Sequence, residues 1–281
     1  MPETELRFDF FDALNNHAGS RPDEIALAVT GPEGNASLSW SKLTAEIRGV
    51  SLYLQEMGIV PGDRVAILME NQPRWGVAFA AVQSAGAIAV PLDTISGIAA
   101  AIAVCRHADT QFLLASPQLS SVACEVQAEV CTITGTITTE AEWSLAASGG
   151  SSDTALPLVR RTLEDPLAIL YTGGTTGKPK GVLLTQRNLY RSITDMLRVF
   201  PLSPADRILS VLPLFHVMPL LSNLLAPLFT GAQVLFLNQL DPQSLMNAFA
   251  SQGITAFLCV PQFYYQMERR ILGEVSRQSV A

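Results

Sequence analysis

The 281-residue sequence predicts an α/β fold of mostly parallel sheets flanked by helices. Three observations carry the prediction. Short apolar runs, such as 64–69, 87–92 and 111–115, alternate with stretches of helical period, such as Leu43, Ile47, Val50 and Leu54. Alternation of this kind favours parallel strands, because a parallel crossover needs a connection about as long as a helix. Apolar residues make up 48% and charged residues 15%, which suits sheets covered on both faces and is the reverse of a disordered chain's balance.

The elements follow in order. Asp9 to His17 reads as a first helix, and Ala26–Thr30 and Leu38–Trp40 as strands around a turn at Gly31 and Pro32. The helix from Ser41 ends before Gly58, a plausible stop. Arg64–Met69 is a strand, and Pro73 opens a helix running towards Gly86, as a first-turn proline should. Ala87–Leu92 is a strand, Ile98–Arg106 a helix and Gln111–Ala115 a strand. The small, polar stretch Ala146–Thr154 is the best linker, dividing a first α/β part (1–146) from a second (157–281) across residues 147–156. Beyond it, Pro166–Tyr171 and Gly181–Leu184 read as strands, and Thr185 caps a helix reaching Phe200. Ile208–Leu212, Gln233–Leu237 and Ala256–Val260 are strands, and Asp241 with Pro242 starts a helix that Gly253 stops.

The net charge of −7 argues against nucleic acid as a partner, since no basic stripe exists to neutralise a phosphate backbone. The cysteines (Cys105, Cys124, Cys131, Cys259) have no metal-ligand spacing and read as buried free thiols of a reducing cytoplasm. The acidic, polar N-terminus lacks the pattern of a signal peptide. Two apolar stretches approach the length of a membrane span. Trp75–Leu92 is punctuated by glycines and a proline, and Ile208–Leu237 contains His216, Asn223 and three prolines, so neither is read as transmembrane.

The segment Tyr171–Gly181 (YTGGTTGKPKG) lies between two of these strands. Its glycines let backbone N–H groups converge, its threonines add hydroxyl donors, and Lys178 and Lys180 add positive charge. Two of the protein's three lysines stand here, the third being Lys42. In an acidic protein, such a cradle suits a polyphosphate that the global field would otherwise repel. The segment is neither a Walker P-loop nor a dinucleotide fingerprint, because the spacing fits neither pattern. On composition alone, a Gly/Thr hairpin with solvated lysines remains the alternative.

Position by position, the segment resembles the phosphate-binding signature of the adenylate-forming superfamily, and of its acyl-CoA synthetase branch above all. Pro61–Ile67, Glu70–Trp75, Ala85–Ala87, Val90–Leu92 and Leu212–His216 are similar to further motifs of that superfamily, and the likeness runs from about Phe10 to Gln266. The resemblance implies activation of a carboxylic acid, a fatty acid by preference, as an acyl-adenylate, and its transfer to coenzyme A. It implies ATP, Mg²⁺ and coenzyme A as cofactors and co-substrates. Thr172, Gly173, Gly174, Thr175, Thr176, Gly177, Lys178 and Lys180 would hold the phosphates, Thr172 would also touch Mg²⁺, and His216 would wall the acyl pocket at the catalytic centre. Two positions depart from the pattern: Pro219 stands where a glycine is common, and Gln186, at a helix start, where histidine is frequent. The second reads as a change of cap. An amino-acid or aryl-acid activator and a non-catalytic binding module are the alternatives; the absence of a carboxylate from Val211–Leu225 favours an apolar acid over an amino acid.

Members of the superfamily are longer. Their later nucleoside motifs and C-terminal catalytic domain have no counterpart here, and no lysine follows Lys180. The expectation is therefore a fragment that cannot complete adenylation alone, with small-molecule substrates, a cytoplasmic location, and self-association through apolar surface that truncation would expose.

Overall fold

The computed structural model describes residues 10–31, 34–149, 159, 161–172, 179–261, 263–265 and 267–269. Two sheets carry the fold. One has the order β2-β1-β10-β9, from Ala36–Ser39 (β2), Ile25–Thr30 (β1), Gln233–Leu237 (β10) and Arg207–Ser210 (β9). The other has the order β6-β5-β3-β4-β7-β8, from Gly135–Ile137 (β6), Phe112–Ala115 (β5), Arg64–Leu68 (β3), Ile88–Pro91 (β4), Pro166–Thr172 (β7) and Lys180–Thr185 (β8). All pairings are parallel except β1 with β2 and β7 with β8. Each sheet takes strands from both sides of residues 147–156, so that segment separates the strands in sequence but not by sheet.

Alternation along the central strands sorts side chains between two cores. Val65, Ile67, Ala89, Phe112 and Leu114 face the inner core, which also holds Leu27, Val234 and Phe236 of the four-stranded sheet. Ala66, Leu68, Val90, Leu113 and Ala115 face an outer core with Ala101 and Cys105 of helix α4 (Ile98–Ala108) and Ala123 and Val126 of α5 (Ser120–Glu129). The Pro242–Ser251 helix covers the far face of the four-stranded sheet through Leu245 and Ala248.

Helix α1 (Phe10–Ser20), α2 (Trp40–Glu56) and α3 (Pro73–Ser84) contribute to the inner core. Every residue of α3 except Arg74 is buried, because it is apolar nearly all round. Its Gly76 comes so close to the four-stranded sheet that a Cβ there would lie 2.9 Å from Leu27 Cδ1. Helix α3 is thus a shared element between the two sheets.

Punctuation placed several helices correctly. Asp241 accepts hydrogen bonds from the backbone of Gln243 and Ser244 at the head of its helix. Thr185 and Asn188 form a reciprocal cap at the head of α7 (Gln186–Val199). Other expectations change. Trp40 begins α2 instead of ending a strand, since Ser39 caps that helix by accepting from Lys42 N–H. Ala256–Val260 is not a strand: its pairing stops at one bridge, Ile208 with Ala256, and the carbonyl of Leu258 accepts from the buried side-chain amide of Asn223. The region 217–230 is helical, with a π-helical turn at Leu220–Leu225 between Val217–Pro219 and Ala226–Thr230. Of the four free cysteines only Cys105 is buried, its thiol pushed up to about 11 by that burial; Cys124 and Cys131 are exposed.

Candidate functional site

The carboxyl ends of the parallel strands set the site, as is usual for α/β sheets. At this end of the six-stranded sheet lie Thr172 at the end of β7, Asp93 after β4, Glu70 and Asn71 after β3, and Ser116 after β5. At the same end of the four-stranded sheet, β9 runs out through Leu212–Leu214 to His216. A cleft of about 480 Å³ opens here, with Glu70, Asn71 and Ser210 among its polar lining and Phe215, Leu237 and Leu240 among its apolar lining.

The glycine-threonine segment is the connection of an antiparallel hairpin. The ladder between β7 and β8 runs from Ala168 opposite Leu184 to Thr172 opposite Lys180. Thr172 and Lys180 therefore face each other across the base of the connection, both exposed. Gly173, Gly174, Thr175, Thr176, Gly177 and Lys178 lie outside the described residues. One rung below, Tyr171 pairs with Gly181. A Cβ on Gly181 would fall 2.6 Å from Ile169 Cγ2 and 3.0 Å from Tyr171 Cζ, so glycine is required there by packing. The Tyr171 hydroxyl meets His107 Nδ1 at 2.8 Å, and the two rings stand edge to face. Burial, and secondarily the nearby Cys105 thiol, raises the Tyr171 phenol above its ordinary range, which keeps it neutral. This pair anchors the hairpin base to α4.

His216 is exposed at the head of the 217–230 helical region, its ring centroid 4.4 Å from that of Phe215. Among the described residues it is not paired with the hairpin; its link to the six-stranded sheet runs through the carboxylate of Asp93. Partial burial pushes the Asp93 carboxyl up. Hydrogen bonds from the Ser96 hydroxyl and the Ile95 and Ser96 N–H groups, together with the charge of His216, outweigh that and hold it below its usual value. A carboxyl with a lowered folded pKa contributes stability above its unfolded value, lost as pH falls through the folded one. The Asp93→Asn chain should therefore be less stable than wild type near pH 7, with the gap narrowing towards about pH 3. Urea unfolding at the two pH values checks this, and a gap unchanged with pH would contradict it.

Gln186 is not a cap. It is buried, and its amide donates to Gln83 Oε1 at 3.1 Å, while Gln83 donates to the carbonyl of Leu167. The cap is Thr185. Sequence reasoning assigned no roles to Asp93, His107 or Asn71. Only Asp93 left a local signal, a carboxylate three residues before Ser96 at a glycine turn.

For ATP, the exposed Lys180 cation beside the Thr172 hydroxyl is a fitting donor pair for phosphate oxygens. For Mg²⁺ the fit is slight. Among the described residues no group of three acidic, histidine or cysteine side chains could hold a metal. Thr172 offers one neutral oxygen, so among the described residues of the hairpin one contact would go to an ion held chiefly by phosphates and water.

A family model described as AMP-binding enzyme matches residues 14–279. The chain belongs to the AMP-binding enzyme family. Among relatives of this family, it is 35% identical over 227 residues to the oxalate–CoA ligase of Arabidopsis thaliana, covering 79% of this chain and 43% of that protein. It is 28% identical over 231 residues to the sulfoacetate–CoA ligase of Cupriavidus necator, covering 82% and 45%. Over 206 residues it is 32% identical to FadD10 of Mycobacterium tuberculosis, a medium/long-chain-fatty-acid–[acyl-carrier-protein] ligase, covering 70% and 35%. The N-terminal domain of FACL13 from Mycobacterium tuberculosis shares the fold, with a TM-score of 0.83 at 23% identity over 92% of this chain and 64% of that one. ATP-bound MatB from Rhodopseudomonas palustris superposes with a TM-score of 0.78 at 26% identity, over 92% of this chain and 50% of that one. The AMP-binding chain thus spans about half the length of the curated relatives it matches. No helix among its described residues is long and apolar enough to cross a membrane.

Proposed function

We propose that this chain is the phosphate-gripping part of an AMP-forming acid–thiol ligase. The observation that carries the reading is the hairpin whose base pairs Thr172 with Lys180, with Gly173–Lys178 as the connection between them. In the first half-reaction a carboxylate oxygen attacks the α-phosphorus of ATP and pyrophosphate leaves. In the second, a thiol, that of coenzyme A, displaces AMP and releases a proton to give the thioester. The protein's task in both is positioning and charge stabilisation. Thr172, Thr175, Thr176 and Lys180, with the amides of Gly173, Gly174 and Gly177, hold the departing phosphates. Lys178 adds charge at the rim, and Thr172 would offer one oxygen to Mg²⁺, which would supply further neutralisation of phosphate charge. His216 walls the acid's carboxylate end. A cytoplasmic reaction agrees with four unpaired cysteines.

The acid is an apolar one, a fatty acid by preference, because the stretch Val211–Leu225 carries no carboxylate to meet a substrate ammonium. An aryl acid is the second reading, favoured by relatives that include a feruloyl-CoA synthase of Amycolatopsis sp. at 28% identity and the 4-coumarate–CoA ligase 5 of Oryza sativa at 30%. The 281 residues alone are expected to bind ATP without completing adenylation, since they span about half of such relatives. Acid-dependent ATP–pyrophosphate exchange over a panel of fatty, aryl and amino acids tests this, with the 281-residue chain and with the longest product of its reading frame. Exchange driven by fatty acids in the longer product alone is the expected outcome. Exchange driven by amino acids, or by the 281 residues alone, would overturn it.

A further inference from the structure

Asn71 makes two hydrogen bonds to one distant loop. Its Nδ2 donates to the carbonyl of Leu212 at 2.7 Å, and its Oδ1 accepts from Leu214 N–H at 3.2 Å. The partners lie 141 and 143 residues away in the chain. An asparagine just before a helix ordinarily caps it. Here the cap position of α3 is Gln72, which makes no side-chain cap bond, and the Asn71 amide is turned to the loop instead.

A carboxamide that donates to residue 212 and accepts from residue 214 imitates a rung of β-sheet, with the donor and the acceptor on separate atoms of one short planar group. The bonds fix which end of the amide is nitrogen. They also join the end of β3, in the six-stranded sheet, to the exit of β9, in the four-stranded sheet. The clamped residues lead straight into His216. Its N–H closes a turn on the carbonyl of Pro213, between the two clamped positions, and its own carbonyl accepts from Leu220 N–H to start the following helix. The side chains of Leu214 and Phe215 are buried, so the loop's apolar anchors and its backbone clamp act together.

We infer that Asn71 is a positioning residue: its amide sets the backbone of Leu212–Leu214 and thereby the place of His216, next in the chain to Phe215 of the cleft lining. The role of His216 towards the acid rests on the reading proposed above; the clamp itself does not. The test therefore reads position and not turnover. In the wild-type chain the Leu214 amide should exchange slowly with deuterium although it lies in a loop. In Asn71→Asp the donor is lost and a carboxylate faces the Leu212 carbonyl; in Asn71→Ser the reach is lost without added charge. Both variants should speed Leu214 exchange at least about tenfold. Both should also move the ring carbon–proton NMR signals of His216, leaving those of His17 and His107 in place; with three histidines in the sequence, these are readily assigned. A fall in overall stability alone would move all three or none. Fast Leu214 exchange in wild type, or His216 signals unmoved in a folded variant, would overturn the proposal. Shifted His216 signals, together with no acid-dependent ATP–pyrophosphate exchange in the longest product of the reading frame, would leave the clamp standing and the proposed reaction refuted.

Discussion

Replacing Lys180 with alanine is expected to weaken ATP binding about tenfold to a hundredfold. Lys180 opens β8 directly opposite Thr172, exposed at the base of the connection proposed to grip phosphate. It is one of three lysines in a chain of net charge −7, and of the other two only Lys178 shares its segment. A charged hydrogen bond to a phosphate contributes about 1.5–3 kcal/mol, which converts to that range in affinity. Lys180→Arg should recover part of it, because charge is kept while the compact ammonium becomes a planar fork. Titration calorimetry at low salt reads the change, with adenosine as the ligand that should feel none of it. An alanine variant that binds ATP like wild type would remove Lys180 from the phosphate site.

The largest effect on stability should come from Trp75→Ala. Trp75 is 1% exposed, stacked on Phe79 with ring centroids 5.5 Å apart and planes 11° from parallel. It sits in the first turn of α3, the helix that serves the inner faces of both sheets. Neither sheet can close onto the gap without opening from the other, so collapse around the cavity should be poor. Truncations of this kind cost about 3–5 kcal/mol, a large share of the stability of a typical domain. Urea unfolding followed by far-UV circular dichroism measures the loss. A cost under about 1 kcal/mol would show that α3 is not the shared core element described. Because Asn71 and Gln72 lead into this helix, the variant should also loosen the clamp on Leu212 and Leu214.

Much of this was legible in the sequence where residues act locally. Thr185, Asp241 and Pro73 placed helix starts to within a residue because caps and first-turn prolines work over three or four positions. The hairpin connection stood out for the same reason: its glycines, threonines and lysines are contiguous. What was missed is weakly patterned or long-range. Helix α5, strand β6 and helix α6 (Glu140–Ala147) escaped notice, since α5 buries only Ala123 and Val126, α6 only Trp143 and Ala146, and β6 is the three residues Gly135–Ile137. Pro219 and Pro227 counted against a membrane-spanning helix over Ile208–Leu237, and no helix was assigned to 217–230. Yet both fall in the first turns of short helical pieces, where the missing N–H costs little, and the π-helical turn joins those pieces. Gln186 looked like a cap change because its partner Gln83 is 103 residues away. The Asn71 clamp and the electrostatic influence of His216 on Asp93 likewise act between distant parts of the chain, and no local period encodes them.

The central claim is that the connection between Thr172 and Lys180 grips a polyphosphate tail. Titration of the 281-residue chain with ATP and with AMP, in the same low-salt buffer, tests it most directly. The two ligands share a nucleoside and an α-phosphate, and differ in the two phosphates the hairpin is held to bind. The account predicts that ATP binds at least about tenfold more tightly, about 1.4 kcal/mol or more in favour of the triphosphate. Equal affinities, or tighter binding of AMP, would contradict it.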